Sequence, residues 1–333
     1  MKAATGGRQG LEWARRPRPE PSPEQLLVRV RAAALNRADL GMLAGHAHGS
    51  AGGAGAVLGL EWAGEVVAVG LRVSAFAVGD RVMCSGSGGF AGYAVTDQGR
   101  AMRLPDQAMG FEQAATLPVA LQTMHDAIVT NARLCAGDTV LIQGASSGVG
   151  LMGLQIARLM GAGKVIGTST NAVRRARLAE FGADLALDSS DPQWPQQLLA
   201  ATDGHGADVI IDQLAGSAAN ANMAAAALGA RIVNVGRLAG MRGDFDFDLH
   251  ALKRIQYIGV TFRTRTVEQV RAIQAGVVAD LGPHLARGAL ALPIDCVYPF
   301  DRLGEAFEHM RSNAHFGKIV VRMPESADPD EAV

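Results

Sequence analysis

From residue 24 the chain alternates apolar and charged positions, EQLLVRVRAAAL, in the period-two manner of a strand with one buried face. LEWAGEVVAVG (60–70) and VGDRVMC (78–84) continue that character, with Gly-rich turns between them. Up to about residue 100 the pattern predicts a compact, strongly bent β domain. One stretch departs from it: Gly45 to Ala56, GHAHGSAGGAGA, is so rich in Gly and Ala that it is expected to be a mobile loop. Beyond residue 138 strands alternate with helices. TVLIQG (139–144), KVIGTST (164–170), DLALD (184–188), ADVIIDQLAG (207–216), ARIVNVG (230–236) and IQYIGVTF (255–262) read as strands. GLMGLQIARLMGAG (150–163) and NAVRRARLAEFGA (171–183) read as helices. That order implies right-handed crossovers and a doubly wound parallel sheet.

A Gly-rich turn, GASSGVG (144–150), joins the first of these strands to the first helix. Strand, turn and helix in that order leave unpaired backbone N–H groups at the helix N-terminus, where a dinucleotide pyrophosphate can bind. Ser146, Ser147, Gly148 and Val149 are the expected contacts. Short-chain reductases carry a similar turn, but they also need a Tyr followed four residues later by Lys, whose cation lowers the phenol pKa. Here Tyr93 is followed by Asp97, Tyr257 by Thr261 and Tyr298 by Arg302. The turn also lies in mid-chain, after a full β domain.

Composition removes other function classes. A length of 333 residues suits about two domains, and 48% apolar with 19% charged residues describes a globular protein. The 31 basic and 32 acidic residues nearly cancel, leaving no electrostatic footprint for nucleic acid or an anionic membrane. The first residues, MKAATGGRQG, hold no apolar signal core, and nowhere do eighteen apolar residues run together. Cytoplasm is the expected location, with no membrane span. Cys84, Cys135 and Cys296 are too dispersed for a disulfide framework or a C-x-x-C metal lobe.

NRADL (36–40), LGLEWAGEVVAVG (58–70), VGDRV (78–82), GASSGVG (144–150), FRTRTVEQ (262–269) and HFGKIVV (315–321) together resemble the zinc-free quinone oxidoreductases of the medium-chain dehydrogenase/reductase superfamily. Within it they are most similar to the p53-inducible quinone oxidoreductase-like group. The resemblance implies a GroES-like, β-rich catalytic domain over residues 1–121 and a Rossmann nucleotide-binding domain over 122–264. It further implies a segment, 265–323, returning to the catalytic domain, before an acidic tail, 324–333, expected to be disordered. It places Thr123 near the nicotinamide, Asn234, Val235 and Gly236 over it, and Lys318 in the cofactor's neighbourhood. Thr123 as a helix cap and Lys318 as a surface strand residue are the plainer alternatives.

NAD-specific turns usually place an acid at the end of the second strand, to bind the ribose 2′-OH. Here that strand runs into Ser169, Thr170 and Asn171, which leave room for a 2′-phosphate, and Arg174 or Arg175 could neutralise it. NADP(H) is the expected cofactor. Zinc-dependent relatives supply ligands from a Cys and a Gly-His-Glu run. This chain has Asn36, Ala38 or a neighbour at the first place and Leu60 before Glu61 at the second, so no metal is expected. Glu61 is expected to hydrogen-bond within its domain. His46 and His48 on the Gly-rich loop are weak evidence for a metal site.

Without a metal, hydride transfer needs an acceptor whose developing charge is met by hydrogen-bond donors or water. Quinones and activated enones satisfy this. Asn36, as an amide donor beside nicotinamide and substrate oxygen, and Thr123, as a second polar contact, are the expected catalytic residues; Asn36 also suits a turn residue bonding its own backbone. His125 and Tyr93 are candidate acids for which a structural role is preferred. An NADPH-dependent quinone reductase is the leading expectation. An NADPH-dependent C=C reductase of α,β-unsaturated aldehydes or ketones is the second, and a catalytically silent nucleotide-binding or sensing protein the third. The apolar strand at 255–262 is a template for pairing; the resemblance implies that it pairs with its two-fold mate in a homodimer, with a monomer whose edge is covered as the alternative.

Overall fold

The computed structural model describes residues 1–7, 10–49, 51–105 and 108–325. The chain separates into two compact units: Met1–Val119 with the segment from Phe262 onward, and Ala120–Thr261 between them in sequence.

The first unit opens on an antiparallel ribbon of β1 (Lys2–Gly7) and β2 (Gly10–Arg15). β3 (Gln25–Ala34) follows, with Val28 and Val30 buried while Arg29 and Arg31 stay partly exposed. After α1 (Arg37–Leu43) come β4 (Ala47–His48) and β5 (Ala51–Gly52), paired to each other. The expected mobile loop over 45–56 is thus corrected in part to a short ribbon. Its cause is close packing: a Cβ on Gly49 would lie 2.6 Å from the Arg263 carbonyl oxygen, and one on Gly52 would lie 2.8 Å from that of His46. β6 (Glu61–Val69), β7 (Arg81–Ser85), β8 (Tyr93–Asp97), β9 (Ala101–Arg103) and α2 (Phe111–Ala115) complete the first part. α3 (Pro118–His125) leads into the second unit.

That unit begins with β10 (Thr139–Ile142), α4 (Gly148–Leu159) and β11 (Lys164–Thr168). The long helix expected over 171–183 is only α5 (Ala172–Ala176), followed by a 3-10 turn at Leu178–Phe181 that ends at Gly182, φ +97°. Leu178 is the one fully buried residue of that stretch, too little apolar face to carry a longer helix. β12 (Leu185–Leu187), α6 (Trp194–Ala201), β13 (Ala207–Asp212), α7 (Ala219–Ala225), β14 (Ala226–Asn234), α8 (Phe247–Leu252) and β15 (Gln256–Gly259) follow. The six strands are all parallel in the order β12-β11-β10-β13-β14-β15. Val140, Leu141, Ile142, Val165, Ile166, Ile210 and Ile232 are fully buried, as strands covered on both faces require. This is the doubly wound Rossmann arrangement, and its order reverses between β10 and β13.

The chain returns to the first unit through α9 (Val267–Ala286), β16 (Ile294–Pro299), α10 (Leu303–Ser312) and β17 (Lys318–Arg322). There β17 pairs antiparallel with the C-terminal half of β3, whose N-terminal half pairs with β8. The seven-stranded sheet that results runs β16-β17-β3-β6-β7-β9, with β8 on β3. Leu303, Ala306, Phe307 and Met310 of α10 bury against its core, where Phe307 meets Phe90 edge-on at 5.9 Å. Burial of one such ring contributes about 1.5–3 kcal/mol. No helix among the described residues is long and apolar enough to cross a membrane. Beyond Glu325 the expected disordered tail lies outside the described residues.

Candidate functional site

In the Rossmann unit the Gly-rich turn sits at the carboxyl end of β10. Gly144 takes φ +66°, a region that favours glycine. Gly150 is glycine for space: a Cβ there would lie 2.7 Å from Ala145 Cα and from the Gly144 oxygen. Ser147 caps α4, its hydroxyl accepting from the Gly150 N–H at 3.0 Å. A helix start leaves the amides of Gly148 and Val149 without an intrahelical acceptor, which is the donor set an anion needs.

At the end of the neighbouring strand the Ser146 and Ser169 hydroxyls lie 2.9 Å apart, and the Asn171 N–H donates to Ser169 at 3.3 Å. Asn171 caps α5 by accepting from the Arg174 N–H, while Thr170 is exposed. Arg175 donates to the Ser169 carbonyl at 2.8 Å and pairs with Asp188 at 3.0 Å. No acid stands at 168–171, so the end of β11 carries hydroxyls and an amide, with the Asp188 carboxylate nearby but paired to Arg175. Past β14, the Val235 and Gly236 amides donate to the Asp212 carbonyl, and the Asn234 side chain donates to that of Gly236 at 3.0 Å. Thr123 is half-buried in α3 between buried Gln122 and Met124. These residues fit a dinucleotide: the tight turn, closed to a Cβ at Gly150, brings the helix-start amides of Gly148 and Val149 to the end of β10.

Three residues beneath the turn escaped the sequence reading. Gln143 accepts from Thr168 and donates to Asn222, both at 2.6 Å. Gln213 donates to the Gln143 carbonyl at 2.9 Å and accepts from Ser147 at 3.0 Å. The available signal was a polar residue closing an otherwise apolar strand, in LIQG and IIDQ.

In the β-rich unit Asn36, Glu61 and Lys318 meet in the interior. The Lys318 ammonium donates to Asn36 Oδ1 at 3.0 Å and to Glu61 Oε1 at 2.5 Å. Asn36 Nδ2 donates to the same Glu61 oxygen at 3.0 Å, and the other Glu61 oxygen accepts from the Val119 N–H at 2.8 Å. Asp39, completely buried, accepts from the Asn36 N–H at 2.7 Å. Burial raises the Asp39 pKa to about 7 against the lowering pull of that amide and of Lys318. Lys318 is therefore neither a surface strand residue nor exposed, and Asn36 caps α1 while its side chain is also held by Lys318 and Glu61. Asp39 also went unread, although Asn-x-x-Asp at a helix start is a capping signal.

A zinc ion does not fit here. Leu60 offers no ligand atom, and a lysine cation stands against the carboxylate. Among the described residues no group of three or more His, Cys, Asp or Glu side chains could hold a metal. The His48 pKa is lowered by burial and by Arg263.

Comparison with known proteins follows this division. A family model described as alcohol dehydrogenase GroES-like domain matches residues 22–106, and one described as zinc-binding dehydrogenase matches 148–275. Phthioceranic/hydroxyphthioceranic acid synthase of Mycobacterium tuberculosis is 31% identical over 325 residues, 96% of this chain and 15% of that protein. The chain spans about 15% of the length of the curated relatives it matches. Among solved structures, CurK enoyl reductase is 26% identical with a TM-score of 0.84, covering 97% of this chain and 99% of that one. A quinone oxidoreductase of Pseudomonas syringae pv. Tomato DC3000 is 25% identical with a TM-score of 0.84, covering 96% and 99%. With a GroES-like unit and a six-stranded Rossmann unit in this order, the chain belongs to the medium-chain dehydrogenase/reductase superfamily.

Proposed function

We propose that the chain is an NADPH-dependent, zinc-independent reductase whose acceptor is conjugated with a carbonyl, a quinone in the first reading. The observation that carries the metal-free part is the buried Lys318–Glu61–Asn36 set, in which an ammonium answers the carboxylate. The bound dinucleotide supplies the hydride. Gly148 and Val149 amides hold its pyrophosphate, and Ser169, Thr170, Asn171 and Arg174 receive a 2′-phosphate, with Arg175 held by Asp188. Asn234 to Gly236 and Thr123 line the nicotinamide end. The Asn36 amide, fixed by its two charged neighbours, is oriented to meet the acceptor's developing negative oxygen without reorganising. The acceptor's proton comes from water.

A second reading, reduction of the C=C bond in an α,β-unsaturated carbonyl, is favoured by the likeness to an enoyl reductase over 97% of the chain. The same donors serve it, since charge again develops on a carbonyl oxygen. The edge position of β15 supports a homodimer through that strand.

NADPH oxidation by the chelator-treated protein, against an ortho-quinone and an α,β-unsaturated ketone with NADH in parallel, tests both readings. Turnover with NADPH preferred is expected, and Arg174→Ala should weaken NADPH about tenfold while leaving NADH unchanged. Turnover that appears only on adding zinc would overturn the metal-free reading.

A further inference from the structure

We infer that Gln213 is a positioning residue for the dinucleotide: it fixes the orientation of the peptide planes that open the Gly-rich turn and of the hydroxyl that caps the helix behind it. The inference rests on the dinucleotide reading above. The strand order reverses between β10 and β13, so the turns leaving these two strands are neighbours, and Gln213 is the first residue after β13.

Gln213 is buried, and its main chain is hemmed in, since a Cβ on Gly236 would lie 2.4 Å from its carbonyl oxygen. Its amide nitrogen donates to the carbonyls of Gln143 at 2.9 Å and Gly144 at 3.3 Å. The opposite sides of the same two peptide planes are held by Thr168. The Gly144 N–H donates to its hydroxyl at 3.0 Å, and the Ala145 N–H to its carbonyl at 2.8 Å. Both planes are thus braced on the carbonyl side and on the amide side. The brace matters because Gly144 has no Cβ, so peptide orientations closed to other residues are open to it. In some of them a carbonyl dipole would face the anion.

The other end of the same side chain sets the cap. The Ser147 hydroxyl has one proton, given to Gln213 Oε1, and its lone pair takes the Gly150 N–H. With the hydroxyl locked, the Gly148 and Val149 amides remain for phosphate. Only a side chain that donates and accepts from one tip can do both jobs: a glutamate cannot donate when ionised, serine and threonine are too short, and methionine does neither.

The test compares two ligands by calorimetry on the wild type and Gln213→Met. 2′-Phospho-ADP-ribose contains the pyrophosphate, and adenosine 2′-monophosphate does not. The expected result is a loss of about tenfold or more for the first ligand and less than about twofold for the second. Equal losses for both ligands, or none for either, would overturn the inference. A wild type that binds neither 2′-phospho-ADP-ribose nor ADP-ribose would overturn the dinucleotide reading and this inference with it. Should Gln213→Met not fold, Gln213→Glu keeps the size and the acceptor for Ser147 but loses the donor, and the same split between ligands is expected of it.

Discussion

The two units each bury a polar cluster, and the two clusters are made of different material. In the β-rich unit Glu61 and Lys318 are full charges with side chains 0% and 5% exposed, joined by Asn36 and backed by Asp39. Under the Gly-rich turn Gln143, Thr168, Gln213, Asn222 and Ser147 are all neutral. Each buried ion carries a large desolvation penalty that only its partner offsets, so the first cluster stands or falls as a pair. Neutral amides and hydroxyls cost less to bury and can aim backbone N–H groups without placing a charge near a diphosphate. Aiming amides at a helix N-terminus is served by the second kind, and fixing one amide in a buried interior by the first.

The sharpest way to break the comparison is Lys318→Met, which strands Glu61 as an unpaired buried carboxylate. A stability loss of about 3–5 kcal/mol is expected in urea unfolding, with much of it recovered in the double variant Glu61→Gln/Lys318→Met. No recovery would mean that packing, not charge, holds the cluster. Thr168→Val is the matching change in the neutral network, depriving the Gly144 N–H of its acceptor and Gln143 of its donor. It should cost about 1–3 kcal/mol, less than the charge variant. A third test follows pH and concerns Asp39. Below the ordinary carboxyl value of 3.8 it is protonated folded or unfolded; between there and about 7 the unfolded chain releases the proton and the folded chain keeps it. Its contribution to stability is therefore present in acid and declines as pH rises to about 7, with a slope of at most about 1.4 kcal/mol per pH unit. Asp39→Asn should flatten that slope, and an unchanged slope would assign it to other groups.

Much of the frame was legible because it is written in local patterns. The period-two stretch at 24–35 and the buried runs at 139–142 and 207–211 became strands, and the Gly-rich turn became the start of α4. The helix over 171–183 misled because propensity there has no apolar face behind it. Asn36 and Lys318 each stood out as sequence motifs, yet their contact depends on β17 lying against β3, a pairing that no local pattern encodes. Gln143 and Gln213 were unread for a related reason: a glutamine ending a strand acquires meaning only when the strand order puts the two side by side.

The pairing of β3 with β17 also dictates an order of events during synthesis. The Rossmann unit is continuous in sequence and can complete itself as soon as it leaves the ribosome, whereas the unit around it must wait for its last strand. Closing so long a loop makes that strand a late arrival in folding as well. Glu61 is made 257 residues before Lys318, and for that whole interval its interior place is untenable as an anion. Until Lys318 is made, the chain lacks the cation that offsets burial of Glu61 in the finished sheet.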